Sequence, residues 1–155
     1  MWTPKTEEEL VTAVTSGDVS EGPAFDAKRE VSEKNLDIAK DIAAMANDGG
    51  VIIYGIGEDG NGEPTIPNPV SLRGLDEKIT AIVRTRLDKP PYIRPYPIPT
   101  GVDPSVGYFV VVVPQSENAP HMLLGDKENR YYGRSGKSNI LLTESEVARL
   151  YERRR

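Results

Sequence analysis

The chain has 155 residues, a net charge of −5 and a sequence pI near 5.0. That length suits one domain with a buried core, and the acidic balance excludes a strong nonspecific polyanion binder, because phosphate-backbone affinity comes from Lys and Arg displacing counterions. With no cysteine there are neither disulfides nor thiolate metal sites.

The N-terminus, MWTPKTEEEL, lacks the basic and apolar regions of a signal peptide. The longest apolar run, Tyr108 to Val113, is too short to span a bilayer. A soluble, cytoplasmic protein without a membrane partner is expected. Charge is uneven along the chain: Arg130, Arg134, Lys137, Arg149, Arg153, Arg154 and Arg155 face only Glu144, Glu146 and Glu152 in the last stretch. A basic face on an acidic protein is therefore open.

In chain order, Thr6 to Ser16 reads as a helix, with Thr6 as cap, Glu7 to Glu9 at its positive end and Gly17 as its stop. Residues 1–18 form this N-terminal segment, and 19–155 are expected to form one globular unit. Ala24 to Lys28 is a short strand candidate. Ser32 can cap a helix from Glu33 to Asn47, whose alanines allow close packing on a sheet. Gly49-Gly50 ends it, since a left-handed C-terminal turn suits glycine. Val51 to Ile56 reads as a central strand, and Gly60 to Pro69 as a loop. Leu75, Ile79, Ile82 and Val83 mark another helix, stopped before Pro90-Pro91.

Tyr92 to Pro99 alternates as a proline-rich edge strand, and Tyr108 to Val113 is the strongest strand of all. Pro114 to Pro120 reads as a loop and Arg130 to Arg134 as a last short strand. Thr143-x-x-Glu146 is a capping box opening a final helix, with Val147, Ala148, Leu150 and Tyr151 on its apolar face. The mixture predicts an α+β domain, helices packed on a mixed sheet.

Two motifs invite nucleotide binding and fail. Gly55-x-Gly57-x-x-Gly60 follows a strand, but the next residues, Asn61-Gly62-Glu63-Pro64, cannot open the helix whose N-terminus would hold a pyrophosphate. Gly136-Lys137-Ser138 ends like a P-loop, yet Tyr131 stands where its first glycine belongs. No nucleotide cofactor is expected. The single histidine, His121, has no partner spacing for a metal or a triad and is expected to be structural.

The acids are more informative. Glu21 and Asp26 flank a Gly22-Pro23 turn, Lys28 shares a face with Asp26 if that segment is a strand, and Glu58 and Asp59 leave the central strand. Three carboxylates suit Mg²⁺ or Mn²⁺, which prefer oxygen ligands, and such an ion can activate water against a phosphodiester. With 24 acids in the chain, a solvated acidic face is the competing reading.

Glu21-x-x-x-Phe25-Asp26-x-Lys28, Ala43-Ala44-Met45-Ala46-Asn47-x-Gly49-Gly50, Tyr54-Gly55-Ile56-x-Glu58-Asp59-Gly60 and Arg130-Tyr131-Tyr132-x-Arg134-x-Gly136 occur in the order seen in the Schlafen AlbA-like domain family, which the chain resembles from about Val19 to Tyr151. Val110 to Pro114 followed by Ala119-Pro120-His121 is similar to that family's late strand and loop. The resemblance implies an α+β nucleic-acid-binding domain. It also implies, as in Schlafen proteins, a metal-dependent endoribonuclease for structured RNA such as transfer RNA, its carboxylates falling on Glu21, Asp26 and Glu58. Asp26 stands where the family usually has Glu and reaches one methylene less far. A homodimer would be one way to supply the second half of the Schlafen RNA cleft.

The expected contacts are Lys28, Arg29, Arg130, Arg134 and Lys137, with Tyr131 or Tyr132 for stacking, and RNA is favoured over DNA. In the nuclease reading Lys28 also steadies the scissile phosphate. A non-catalytic module binding a protein partner through its acidic surface is the alternative.

Overall fold

The computed structural model describes residues 1–125, 127 and 129–154, so Arg155 of the basic C-terminal run lies outside the described residues. In chain order the elements are α1 (Glu7–Thr15), β1 (Phe25–Lys28), α2 (Asn35–Ala46), β2 (Gly50–Tyr54), β3 (Ile56–Glu58), β4 (Pro64–Pro67), β5 (Val70–Ser71), α3 (Leu75–Arg86), β6 (Arg94–Pro99), β7 (Val106–Val113), β8 (Tyr132–Ser135), β9 (Ser138–Leu141) and α4 (Glu144–Glu152).

The strongest apolar strand takes the centre. β7 pairs antiparallel with β2, β5 and β6, and β2 in turn pairs parallel with β1, giving a mixed five-stranded sheet. The α+β expectation holds. Side-chain alternation along β2 and β7 divides the core in two. Ile52, Tyr54, Phe109, Val111 and Val113 face α2 and α3, where Ile38, Ile42, Met45, Ile79 and Val83 close the layer. Val51, Ile53, Tyr108, Val110 and Val112 face the opposite side, sealed by Leu10 and Val14 of α1. The N-terminal helix is thus part of the core.

Several local readings shift. Ser32 does not cap α2: its hydroxyl accepts from the Lys34 N–H and donates to Asp37, and the helix starts two residues beyond the expected Glu33. The predicted continuous strand from Val51 to Ile56 breaks at Gly55, whose φ of +115° turns the chain out of the sheet. Ile56–Glu58 then pairs with Pro64–Pro67 in a hairpin, correcting the loop expected there. Ser138–Leu141 pairs with Tyr132–Ser135 as a second hairpin, packed against α2. The final helix keeps its capping box on Thr143 and Glu146, but none of its residues is buried.

Candidate functional site

The site begins with the register of β1 against β2. Asp26 lies opposite Ile52 and Lys28 opposite Tyr54, so both side chains fall on the face covered by α2. There Asp41 of α2 meets them. Lys28 Nζ sits 3.2 Å from Asp26 Oδ2 and 3.5 Å from Asp41 Oδ2. The β8–β9 hairpin closes the group from outside. Asn139 Nδ2 donates to Asp41 Oδ1 at 2.6 Å, and Arg134 brings a guanidinium nitrogen to 3.5 Å from Asp26 Oδ1.

Arg134, an expected nucleic-acid contact, is turned inward. Its side chain is only 5% exposed, and it donates to the Gly22 and Phe25 carbonyls at 2.7 and 3.1 Å. It fixes the Glu21–Asp26 turn instead. Asn47 acts similarly, donating to the Tyr132 carbonyl at 3.0 Å and tying the hairpin to the end of α2.

Glu21 folds back so that its Oε2 accepts from the Ala27 N–H at 3.1 Å. Burial, a hydrogen bond with Asp26, and the charges of Asp26 and Glu58 push its pKa up to about 7. The crowding of Glu21 with Asp26 and Glu58 favours its protonated form. The physical balance is simple: Asp26 and Asp41 are matched by Lys28 and Arg134, and Glu21 is the odd acid. Burial alone would lower the Lys28 pKa, but Asp41 and Asp26 outweigh it and hold the ammonium above its usual value.

Beside this group lies an open cleft of about 470 Å³. Glu21, Asp26 and Glu58 stand on it together with Lys28, Arg29, Lys137 and Ser138. Glu58 reaches it from the end of β3, whereas Asp59 turns away to accept from Asn61 and Glu63 N–H groups and the Thr65 hydroxyl. Arg130 and Tyr132 are not among the cleft-lining residues; Arg130 borders an apolar groove with Tyr131, Leu141 and Val147, and the Tyr132 ring lies under Lys40 Nζ at 4.8 Å.

The three acids do not fit a metal as they stand. Among the described residues no group of three or more His, Asp or Glu side chains is arranged to hold an ion. The reason is visible at Asp26. Both of its oxygens already face cations, and Oδ2 is buried without a well-aligned hydrogen bond. His121 is structural, as expected. Its Nδ1 faces the Asp88 carbonyl at 3.1 Å and must carry the proton, leaving Nε2 to accept from the Ser116 hydroxyl at 2.8 Å.

Sequence reasoning missed Asp41, Asn139 and Ser138. Asp41 was hidden in an alanine-rich helix, where its period with Ile38 and Met45 was the available sign that it points inward.

The fold and the cleft together define an α+β domain with a mixed-charge cleft at the edge of its sheet. Residues 21–143 match the family described as Schlafen, AlbA_2, and the chain belongs to that family. Among solved structures it is similar to the N-terminal domain of a putative ATP-dependent DNA helicase RecG-related protein from Nitrosomonas europaea. The TM-score is 0.55 at 15% identity, covering 91% of this chain and 94% of that one, which is a likeness of fold. No curated protein matches the chain. No helix among the described residues is long and apolar enough to cross a membrane.

Proposed function

We propose that the cleft binds nucleic acid, RNA in preference to DNA. The observation that carries this reading is the convergence of Lys28, Arg29 and Lys137, from two distant segments, on one open cleft of a protein whose net charge is −5. Arg29 and Lys137 are exposed there beside three carboxylates, and exposed cations on an open cleft suit a phosphate backbone. Family membership supports it, as does the likeness of fold to a domain of a helicase-related protein. The preference for RNA rests on Glu21 and Glu58, whose oxygens beside the cations can accept from a ribose 2′-hydroxyl that DNA lacks. Arg134 contributes by holding the turn, and Arg130 and Tyr132 are left to contacts beyond the cleft.

The test is fluorescence anisotropy with a labelled single-stranded RNA and its DNA equivalent. Wild-type binding that is lost in a Lys28→Ala, Arg29→Ala, Lys137→Ala variant is the expected result. Equal affinity of the two proteins would sink the proposal. Metal-dependent cleavage of structured RNA, with Glu21, Asp26 and Glu58 as ligands, is the finer reading inferred from the family. With Asp26 occupied by Lys28 and Arg134, the geometry favours binding without cleavage. Cleavage of transfer RNA in Mn²⁺ by the wild type, and not by a Glu21→Ala, Asp26→Ala variant, would establish the nuclease instead.

A further inference from the structure

The five-stranded sheet is protected at the edges formed by β6 and β1. The Thr100 N–H donates to the Val106 carbonyl, so along the β6–β7 ladder Arg94, Tyr96 and Ile98 face β7 while Pro95, Pro97 and Pro99 face outward. Proline has no N–H, and that edge offers an incoming strand no donor at these positions. On β1, the Gly22 N–H and Arg134 cover the Phe25 carbonyl, and Glu21 covers the Ala27 N–H.

The outer edge of β9 is different. The Leu142 N–H donates to the Tyr131 carbonyl, so Ser138 and Ile140 face β8, and the N–H and C=O groups of Asn139 and Leu141 point away from it. None of those backbone groups has a hydrogen-bond partner among the described residues. Beside them Ile140 is 37% exposed and Leu141 46%. Leu141 also lines an apolar groove of about 430 Å³ with Tyr131, Leu142 and Val147. An open edge flanked by exposed apolar side chains is a template for another strand.

Symmetry and charge decide which strand fits. Two copies of β9, antiparallel about a two-fold axis at Ile140, set Asn139 of each opposite Leu141 of the other. Both residues of such a pair direct their N–H and C=O groups at one another, so the open groups are satisfied and the ladder to β8 is undisturbed. The two Ile140 side chains then meet as a non-hydrogen-bonded pair. The same register lays the exposed Lys137 of one copy beside the start of α4 in the other, where Glu144 is exposed. Basic tip thus meets acidic helix start at both ends of the pairing.

We propose that two copies of the chain join edge to edge through β9, their hairpins forming one continuous antiparallel sheet. Ser138, on the wall of the cleft, then lies opposite Leu142 of the second copy, so each copy lengthens the other's cleft wall.

The chain has no cysteine, so a single introduced thiol reports on this contact alone. Facing residues of a non-hydrogen-bonded pair have Cα atoms about 4.5 Å apart, within the range of a disulfide. Under mild oxidation at micromolar concentration, Ile140→Cys should crosslink at least about tenfold faster than Val102→Cys, since dimerisation raises the local thiol concentration. Val102 is the control because it is 98% exposed, in the β6–β7 loop. In sedimentation the wild type should pass from monomer to dimer as its concentration rises. Ile140→Lys sets two ammonium groups against each other at the axis and should stay monomeric, with the melting temperature of the dilute wild type. A wild type that stays monomeric to millimolar concentration, or cysteine variants that crosslink at equal rates, would overturn the proposal and leave the edge to a strand of another protein. A dimer that Ile140→Lys leaves intact would overturn it as well, by placing the interface elsewhere. Should Ile140→Lys not fold, the two cysteine variants decide the matter unaided.

Discussion

At Asp26 a buried carboxylate has a cation on each oxygen, while Glu21 beside it keeps a proton toward neutral pH. The two cations are not equivalent. Arg134 is buried and also satisfies two backbone carbonyls, whereas the Lys28 side chain is 36% exposed. Removing one partner of a buried pair strands the other charge, at a cost of about 3–5 kcal/mol. Arg134→Ala should therefore lose about 3 kcal/mol or more in urea denaturation, and Lys28→Ala clearly less. Equal losses would mean that Arg134 is no strut for the turn. Glu21 gives a pH signature. Its folded pKa of about 7 lies above the ordinary 4.5, so the unfolded state ionises first and this group weakens folding as pH rises between the two values. His121 acts oppositely, because burial lowers its pKa and its contribution is lost as pH falls below 6.5. The Glu21 effect thus has to be read as a difference between variants. Glu21→Gln should melt higher than wild type at pH 8, with the gap shrinking toward pH 5. A gap independent of pH would place the proton elsewhere.

Among the elements, what was legible in the sequence was what depends on local chemistry. The Thr143 and Glu146 box, the Gly49-Gly50 stop and the apolar run of β7 each act within a few residues of themselves. The β3–β4 hairpin was not legible, because Gly60 to Pro69 is rich in residues that read as loop, and pairing brings its strands together. Nor could periodicity reveal that the apolar side of α4 remains unburied. Two substitutions separate these cases. Gly50 sits where a Cβ would meet Met45 sulfur and lie 2.7 Å from the Ala24 carbonyl oxygen. Gly50→Ala should therefore destabilise the whole domain by about 1–3 kcal/mol, since α2 and β1 must both shift. Thr143→Ala removes a cap worth about 1 kcal/mol, but from a helix with no buried residue. Its loss should appear as faster hydrogen exchange in α4 amides with little change in global unfolding. A global shift from Thr143→Ala as large as that from Gly50→Ala would show that α4 is integral to the cooperative unit.

For the whole molecule, the site depends on chain separation that spacing arguments cannot see: Arg134 binds a carbonyl 112 positions earlier, and Asn139 a carboxylate 98 positions earlier. The resemblance of ordered motifs pointed to Glu21, Asp26 and Glu58, yet only the fold shows two basic side chains already seated on Asp26. That changes the expected electrostatics of binding. Of the cleft cations, Arg29 and Lys137 are exposed, while Lys28 is shared with two carboxylates. A cation that remains neutralised by the protein releases few counterions when phosphate arrives. With a slope of about −0.7 per phosphate contact on a single strand, three full contacts would give about −2 in log K against log salt, and two about −1.4. The cleft should give a value near the lower magnitude, and Lys28→Ala should change the slope less than Lys137→Ala does. Anisotropy titrations from low to moderate salt measure both. A slope much steeper than about −2 would mean that cations beyond the cleft, on the basic C-terminal stretch, supply most of the binding.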